Sequence, residues 1–159
     1  MKENTRDEML VFRLGSEEYG VDILKVQEIR GYEKVTPIPR SPDYLKGVVN
    51  LRGNIVPVID LRVKFGMPDP AYDSFTVVIV LRIAGRIIGA VVDGVSDVVR
   101  FAENEIREAP KLGAMVDSSY LSGVATQGSR MILALDIEKL LSMAEMNLLG
   151  EATAAAPAS

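Results

Sequence analysis

The chain has 159 residues and contains no histidine, cysteine or tryptophan. It therefore lacks an imidazole base, a thiolate nucleophile, a Cys/His zinc site and a phospho-accepting histidine, so any catalysis would depend on carboxylates, lysine amines or hydroxyl groups. Hydrophobic residues make up 48% of the chain, charged residues make up 25%, and the formal net charge is −4. This composition indicates a globular protein without the positive field that binds nucleic-acid phosphates, and we expect no cofactor or metal.

No segment has the pattern of a targeting signal or a membrane span. Residues 1–8, MKENTRDE, are polar and charged, so we expect them to be disordered rather than to form a signal peptide. The most apolar runs, 74–81 and 87–92, are separated by Arg82 and Arg86. Each is far shorter than the roughly 18 apolar residues that a membrane-spanning helix needs. Direct insertion into a membrane is therefore not expected.

Short apolar runs alternate with glycine and proline along the chain, a pattern typical of an all-β fold. Residues 10–14 and 19–29 predict two extended segments joined by a Gly-Ser turn, and so a first hairpin. Residues 48–51 and 55–59 flank a Gly-Asn turn signal and predict a second hairpin.

Three further signals concern strand ends and helices. Pro57 cannot donate a ladder hydrogen bond, so its strand is expected at a sheet edge or a bulge. Asp60 is expected to cap a short helix over residues 61–65. Asp136 precedes a longer predicted helix over residues 137–149, which ends at a glycine.

The same arrangement occurs twice in the chain. Residues 10–29 align with 79–98, and residues 44–61 align with 120–137. The matched pairs include Leu10 with Ile79, Val26 with Val95, Glu28 with Asp97, Ile29 with Val98, Tyr44 with Tyr120, Gly47 with Gly123 and Asp60 with Asp136. The second copy also carries an insert after Arg100.

The repeat divides the chain into two β-rich units. We predict a first unit over residues 9–66, a connection over 67–74 and a second unit over 75–149, a division that leaves open whether the units exchange strands. Units this short bury little apolar surface alone, so we expect them to share a core. Residues 150–159 are mostly small, five of them alanine, and are expected to form a disordered tail.

The sequence offers few candidates for catalytic or phosphate-binding motifs. No glycine-rich phosphate motif is present. Asp60 and Asp136 could be considered as a carboxylate pair that divides acid and base roles. Because they are repeat-equivalent caps, we favour a structural role for both.

Positions at which the two copies differ are free to carry function. Arg52 has no counterpart in the turn of the second copy, and a planar guanidinium suits a bidentate contact with a carboxylate. The alternative is a solvated hairpin arginine paired with Glu28. The insert, residues 101–115, exposes apolar residues among charges, and either an interaction site or a cover over one end of the fold would account for them.

Several segments resemble the bacterial chemotaxis coupling protein family, CheW. They are EEYGVDILKVQEIRG (17–31), YLKGVVNLRGNIVPVIDLRVKFG (44–66), TVVIVL (76–81), GAVVDGVSDV (89–98) and RMILALDIEKLL (130–141). The resemblance covers residues 9–149. It implies an all-β fold with short helices, in which two small SH3-like five-stranded β-barrels are followed by a C-terminal helix.

The resemblance also implies a function and its sites. It implies a non-enzymatic, cytoplasmic adaptor that joins the regulatory domain of a chemotaxis histidine kinase to the cytoplasmic tips of transmembrane chemoreceptors, and that is recruited to receptor arrays through these partners. Receptor contact is then expected in a groove between the barrels, at Val26, Glu28, Ile29, Gly47, Arg52, Gly89 and Val98. Kinase contact is expected in the insert, at Arg107 and Leu112, where the match to the family is poorest.

Two rival classes remain at this point. A nucleic-acid-binding β-barrel would need a basic groove with aromatic stacking platforms, whereas the five tyrosines and four phenylalanines are dispersed in an acidic chain. A carboxylate enzyme would need an apolar pocket with perturbed acids, of which the sequence gives no sign.

Overall fold

The computed structural model describes residues 7–67, 70–108 and 120–140. These residues form eleven strands, a one-turn α-helix and short 3₁₀ helices. The strands are β1 (Asp7–Leu14), β2 (Glu17–Asp22), β3 (Val26–Gly31), β4 (Leu45–Leu51), β5 (Asn54–Asp60), β6 (Val77–Ile83), β7 (Arg86–Val92), β8 (Gly94–Phe101), β9 (Ile106–Arg107), β10 (Leu121–Gln127) and β11 (Arg130–Leu135). The helices are α1 (Leu61–Lys64) and the 3₁₀ helices Ile23–Lys25, Glu103–Glu105 and Ile137–Lys139.

The strands form two sheets. The six-stranded sheet has the order β8-β1-β2-β11-β10-β9, and the five-stranded sheet has the order β3-β6-β7-β5-β4. The predicted fold class, all-β with short helices, is confirmed. Antiparallel pairs predominate, but β2 with β11 and β5 with β7 are parallel.

Neither sheet coincides with one copy of the repeat. The five-stranded sheet combines β3, β4 and β5 of the first copy with β6 and β7 of the second. The six-stranded sheet combines β1 and β2 of the first copy with β8, β9, β10 and β11 of the second. The pairing registers follow the same equivalence: Val58 pairs with Gly89 in one sheet, and Ala134 pairs with Gly20 in the other. The two copies have therefore exchanged strands.

The exchange occurs where the sequence predicts one continuous extended run, residues 19–29. That run is broken by the 3₁₀ helix Ile23–Lys25, which carries the chain from the six-stranded to the five-stranded sheet. The carboxylate of Asp22 stabilises the break, since its Oδ1 accepts a hydrogen bond of 2.9 Å from the backbone N–H of Leu24.

Both sheets are buried on both faces. Leu10 and Ile79, from different sheets, belong to one shared core cluster. The opposite faces form separate clusters, around Val11 in the six-stranded sheet and around Val80 in the five-stranded sheet. Each such aliphatic side chain contributes roughly 1.5–3 kcal/mol through burial, so the two copies are held together by a common apolar core, as expected from their size.

The position of Pro57 differs from the prediction. Its strand, β5, lies inside the sheet between β7 and β4 rather than at an edge. Pro57 is opposite Val48, whose N–H and C=O both bond to Thr36 on the other side, and parallel pairing with β7 begins one residue later, at Val58. The missing N–H of Pro57 therefore removes no ladder hydrogen bond.

The predicted caps are confirmed, and one terminal prediction needs correction. Asp60 and Asp136 accept hydrogen bonds from the backbone N–H groups of Arg62 and Glu138. Residues 7 and 8, assigned to a disordered N-terminus, instead begin β1, because their backbones pair with β8. Residues 1–6, the rest of the helix predicted to reach 149, and the predicted disordered tail 150–159 lie outside the described residues.

Candidate functional site

Two exposed aliphatic side chains mark repeat-equivalent positions on edge strands. Ile29 lies on β3 at the edge of the five-stranded sheet and is 45% exposed, and Val98 lies on β8 at the edge of the six-stranded sheet and is 49% exposed. Their registers are equivalent, since Ile29 pairs with Ile79 and Val98 with Leu10. The fold thus presents one apolar side chain on each sheet at matched edges.

An ion pair lies on the face of β3 opposite Ile29, since Glu28 pairs with Val80 and Ile29 with Ile79. The Nη2 atom of Arg52 is 2.5 Å from Oε2 of Glu28, and Arg52 is exposed over 65% of its side chain. Arg30 approaches the other oxygen of Glu28 more loosely, at 3.9 Å. Arg52 also has a positive φ of 51° in the β4–β5 turn, a conformation that costs a non-glycine residue roughly 1–2 kcal/mol. The structure therefore brings together three of the predicted receptor-binding residues.

The second sheet contains a counterpart that sequence alignment misses. Arg130 lies at the start of β11 and contacts Asp97, the equivalent of Glu28, with Nη2 2.7 Å from Oδ1. It also contacts Glu18 through two hydrogen bonds of 3.0 and 2.9 Å. Arg52 therefore has no counterpart in the sequence alignment but does have one in space. The spatial counterpart is Arg130, two residues after the position that aligns with Arg52. The sequence did contain an indication of this contact, since Arg130 directly follows the Gly128-Ser129 turn of the second copy.

The hydrogen bonds from Arg130 lower the pKa values of its two acidic partners. For Glu18 this bond is the largest cause and outweighs desolvation. For Asp97 the same order holds. Both carboxylates are thereby held in the charged form, so the ion-pair cluster ties β2, β8 and β11 together at one end of the six-stranded sheet.

The remaining predicted receptor-binding residues are in part internal. Val26 is half-buried against the shared core. Gly89 is buried on β7, where an added Cβ would lie 2.8 Å from Cγ1 of Val78. Gly47 has a φ of 151°, and an added Cβ would collide with the carbonyl oxygen of Thr36. The two glycines therefore allow neighbouring strands and side chains to pack closely. They do not themselves form part of an exposed contact surface.

The predicted kinase-binding residues are only in part described. Arg107 is exposed on the two-residue strand β9, which pairs with Val124 of β10. Leu112 lies outside the described residues. The backbone of Arg107 corresponds to that of Thr36, since each pairs beside a bulge glycine, Gly123 or Gly47. The start of the insert thus adds an outer strand to the six-stranded sheet.

A buried polar cluster was not predicted. Asp60 and Arg62 have side chains that are 0% and 2% exposed and are joined by two hydrogen bonds of 2.9 Å, Nε to Oδ1 and Nη2 to Oδ2. The Arg62 Nη1 atom also donates to Oδ1 of Asp93, at 2.7 Å, and to the carbonyl of Ala71, at 2.5 Å. The hydroxyl of Tyr72 donates to Asp60 at 2.5 Å, and its ring lies 4.8 Å from the Arg62 guanidinium carbon.

The electrostatics of this cluster favour its charged form. Burial by itself would raise the pKa of Asp60, but hydrogen bonds from Arg62 and Tyr72 outweigh burial and leave the pKa below its usual value. Burial and the bond to Asp60 together raise the pKa of Tyr72. Asp60 is consequently a saturated structural acceptor, and the possibility of a carboxylate pair with Asp136 finds no support in its surroundings.

The described residues show no further chemical centre. Among them, no buried side-chain nitrogen or oxygen atom lacks a hydrogen-bond partner. No group of three or more acidic residues in that part of the chain is placed to hold a metal ion. Within the same residues, no helix has the length and apolar character needed to cross a bilayer.

The chain is thus an all-β protein made of two sheets that exchange strands. Its candidate site consists of exposed apolar side chains and ion pairs on the edge strands, which is the composition of a binding protein. The CheW-like domain family matches residues 8–145, and the chain belongs to this family.

Known relatives and a solved structure agree with this assignment. A protein of Klebsiella aerogenes, named chemotaxis protein CheW, is 56% identical over 146 residues, which cover 92% of this chain and 88% of that protein. A Bacillus subtilis protein of the same name is 31% identical over 138 residues, covering 86% and 88%. The crystal structure of the scaffolding protein TtCheW from Thermoanaerobacter tengcongensis matches with a TM-score of 0.80 and 33% identity, covering 86% of this chain and 93% of that chain. These relatives do not favour the nucleic-acid-binding alternative.

Proposed function

We propose that the chain is a non-enzymatic adaptor that couples the cytoplasmic tips of transmembrane chemoreceptors to the regulatory domain of a chemotaxis histidine kinase. Membership of the CheW-like family and the similarity to the scaffolding protein TtCheW support the adaptor role. The adaptor acts at the cytoplasmic side of the membrane, and its partners recruit it to receptor arrays.

The observation that carries the receptor-binding part is the matched exposure of Ile29 and Val98. Edge strands present unpaired backbone groups that natural proteins usually protect, often with charged side chains, yet both edges here carry an exposed apolar side chain. Each is preceded in its strand by an acidic residue, Glu28 or Asp97, that is paired with an arginine on the other face of the strand. Ile29 and Val98 are both on the sheet faces that contribute to the shared core, since their partners Ile79 and Leu10 belong to it, so one partner surface between the sheets could contact both.

The proposal assigns different roles to the predicted receptor-binding residues. Ile29 and Val98 make apolar contacts, and Glu28 and Arg52 provide a charged contact on the other face of β3. The other three, Val26, Gly47 and Gly89, support the shape of the strands that carry the contact residues. Kinase contact is assigned to Arg107 and Leu112, which belong to the insert and not to the strands that carry Ile29 and Val98.

Serine substitutions test the receptor surface. We expect Ile29→Ser and Val98→Ser each to weaken binding to a soluble receptor signalling tip by at least about fivefold, since truncation of a central interface residue commonly costs more than 1 kcal/mol. Isothermal titration with the purified tip measures the affinity. Because both side chains are half-exposed, thermal melting should change little.

Leu24 supplies a matched control. It is 87% exposed, so Leu24→Ser removes a similar apolar side chain from another surface position. Binding that is unchanged in both test variants, or that falls equally in Leu24→Ser, would contradict the assignment. A separate titration with the kinase regulatory domain should show unchanged affinity for Ile29→Ser and Val98→Ser.

A further inference from the structure

Asp93 occupies the point at which the chain passes from the five-stranded to the six-stranded sheet, between β7 and β8. Its backbone N–H donates to the carbonyl of Arg13, at 3.0 Å, and its Oδ2 accepts from the N–H of Gly15, at 2.7 Å. Both partners belong to the β1–β2 hairpin of the six-stranded sheet. The other oxygen of Asp93 accepts from Arg62.

Arg62 is held from the side of the five-stranded sheet. It follows β5 in helix α1, and the paired bonds to Asp60 and the bond to Ala71 occupy its guanidinium. A guanidinium is planar, and its donors diverge at fixed angles. The Arg62–Asp93 contact therefore connects a rigid group on one sheet to a carboxylate that is bonded to the other sheet.

The corresponding crossover in the other direction is built differently. There Lys25 pairs with Glu138, the repeat equivalent of Arg62, at 2.9 Å, so the signs of the two charges are reversed. Both side chains are about two-fifths exposed. An exposed pair of this kind constrains geometry weakly. The strong crossover contact is thus the one that precedes β8 and Val98.

We infer that Arg62 and Asp93 are positioning residues, which fix the orientation of the two sheets and so set the spacing between Ile29 and Val98 that a receptor tip has to match. The hydrophobic contribution of the shared core is non-directional, whereas the fork of hydrogen bonds on Arg62 specifies the directions of its partners. The inference rests on the proposed function for its consequence in binding, but the spacing itself can be measured without a receptor.

Distance measurements between spin labels test the inference directly. The chain has no cysteine, so Gln27→Cys on β3 and Arg100→Cys on β8 give two unique and exposed attachment sites near Ile29 and Val98. We expect Asp93→Asn, which removes the charge, and Arg62→Lys, which removes the fork, each to shift or broaden the distance distribution measured by pulsed electron paramagnetic resonance. In the unlabelled protein, receptor-tip affinity should fall about fivefold, the lower end of typical coupling effects.

Two controls separate positioning from stability. Ile132→Val in the six-stranded sheet's own cluster lowers stability by about 0.5–1.5 kcal/mol without touching the crossover, and it should leave both the distances and the affinity unchanged. Lys25→Gln should change the affinity less than twofold. Unchanged distances in Asp93→Asn and Arg62→Lys, or equal broadening in Ile132→Val, would overturn the inference. Wild-type protein that fails to bind the receptor tip would instead refute the proposed function, and the distance measurement would still decide the role of the pair.

Discussion

The guanidinium of Arg52 lies 2.5 Å from the carboxylate of Glu28, although the strands next to them, β4 and β3, form opposite edges of the five-stranded sheet. Such a contact requires the sheet to curl until its two edges approach each other. Edge strands exposed to water can pair with other chains. Here the charged groups of the ion pair lie between the two edges and disfavour such pairing. Glu28 directly precedes Ile29 on β3, so one curved edge carries both the ion pair and the proposed apolar receptor contact.

Reversing the charge at Arg52 should separate binding from stability. Arg52→Glu places a second carboxylate beside Glu28, and we expect the affinity for a receptor tip to fall by roughly tenfold or more, as for a charged interface residue turned repulsive. The free energy of unfolding should change by less than about 1 kcal/mol, because exposed ion pairs contribute little. Titration and thermal melting measure the two quantities.

Arg52→Gly is the matched control for this prediction. Glycine adopts the positive φ of 51° without strain, so the variant should melt at the same or a higher temperature and still bind the receptor tip weakly. Should Arg52→Glu lose stability in proportion to binding, the role assigned to Arg52 would be wrong.

Substitution at Gly47 should act through the fold. In Gly47→Ala the new methyl group would collide with the backbone carbonyl of Thr36, and backbone cannot move aside as a flexible side chain can. We expect a loss of more than about 2 kcal/mol in chemical denaturation, in the range of other severe backbone effects. Gly31→Ala is the control, because an added Cβ there meets no atom within 4 Å. Equal stability of the two variants would contradict the packing role.

The kinase surface can be tested at its described residue. Arg107 is exposed on β9, and its side chain is available to an acidic partner. Arg107→Glu should weaken association with the kinase regulatory domain by at least fivefold, typical for a contact worth about 1 kcal/mol or more, and should leave the affinity for the receptor tip unchanged. Leu112→Ser is predicted from the sequence to behave in the same way. Equal loss of both partners in parallel titrations would count against separate surfaces.

Stability should decrease in acid, in part through the Arg130 cluster. The pKa values of Glu18 and Asp97 are lowered in the folded protein, chiefly by hydrogen bonds from Arg130. Lowered values stabilise the fold above the unfolded pKa, about 4 for carboxyl groups, and this contribution is lost as the pH falls through the folded values. Urea titrations between pH 7 and pH 3 measure the slope.

Removal of the arginine tests the origin of this slope. Arg130→Gln should make the acid-side decrease shallower, because neither carboxyl would then keep its lowered pKa. Arg100→Gln serves as the control, since Arg100 makes one exposed contact of 3.4 Å with Glu8. A slope that Arg130→Gln leaves unchanged would show that other carboxyl groups determine the acid sensitivity.

Local signals predicted much of the fold but little of the polar cluster. The caps at Asp60 and Asp136, the second hairpin, whose turn is Arg52-Gly53, and the equivalence of Ile29 with Val98 each depend on residues close in sequence or on a repeated pattern. The partners of Arg62 do not: Asp93 is 31 positions away along the chain, and no periodicity connects the two. Likewise, Arg130 matches Arg52 only in space.

The sequence by itself determined that the chain is duplicated and β-rich, because apolar alternation, turn residues and caps act over a few residues and occur twice in the same order. The CheW-like family was indicated separately, by the resemblance of whole segments such as residues 44–66. Only the tertiary structure decided which copy supplies each strand. The two copies carry interchangeable strand patterns, so hydrophobic burial alone does not distinguish a strand's own partner from its equivalent. The breaks at Asp22 and Asp93 send the chain across to the other sheet, and the partly buried contact of Asp93 with Arg62 exists only once that crossing has been made.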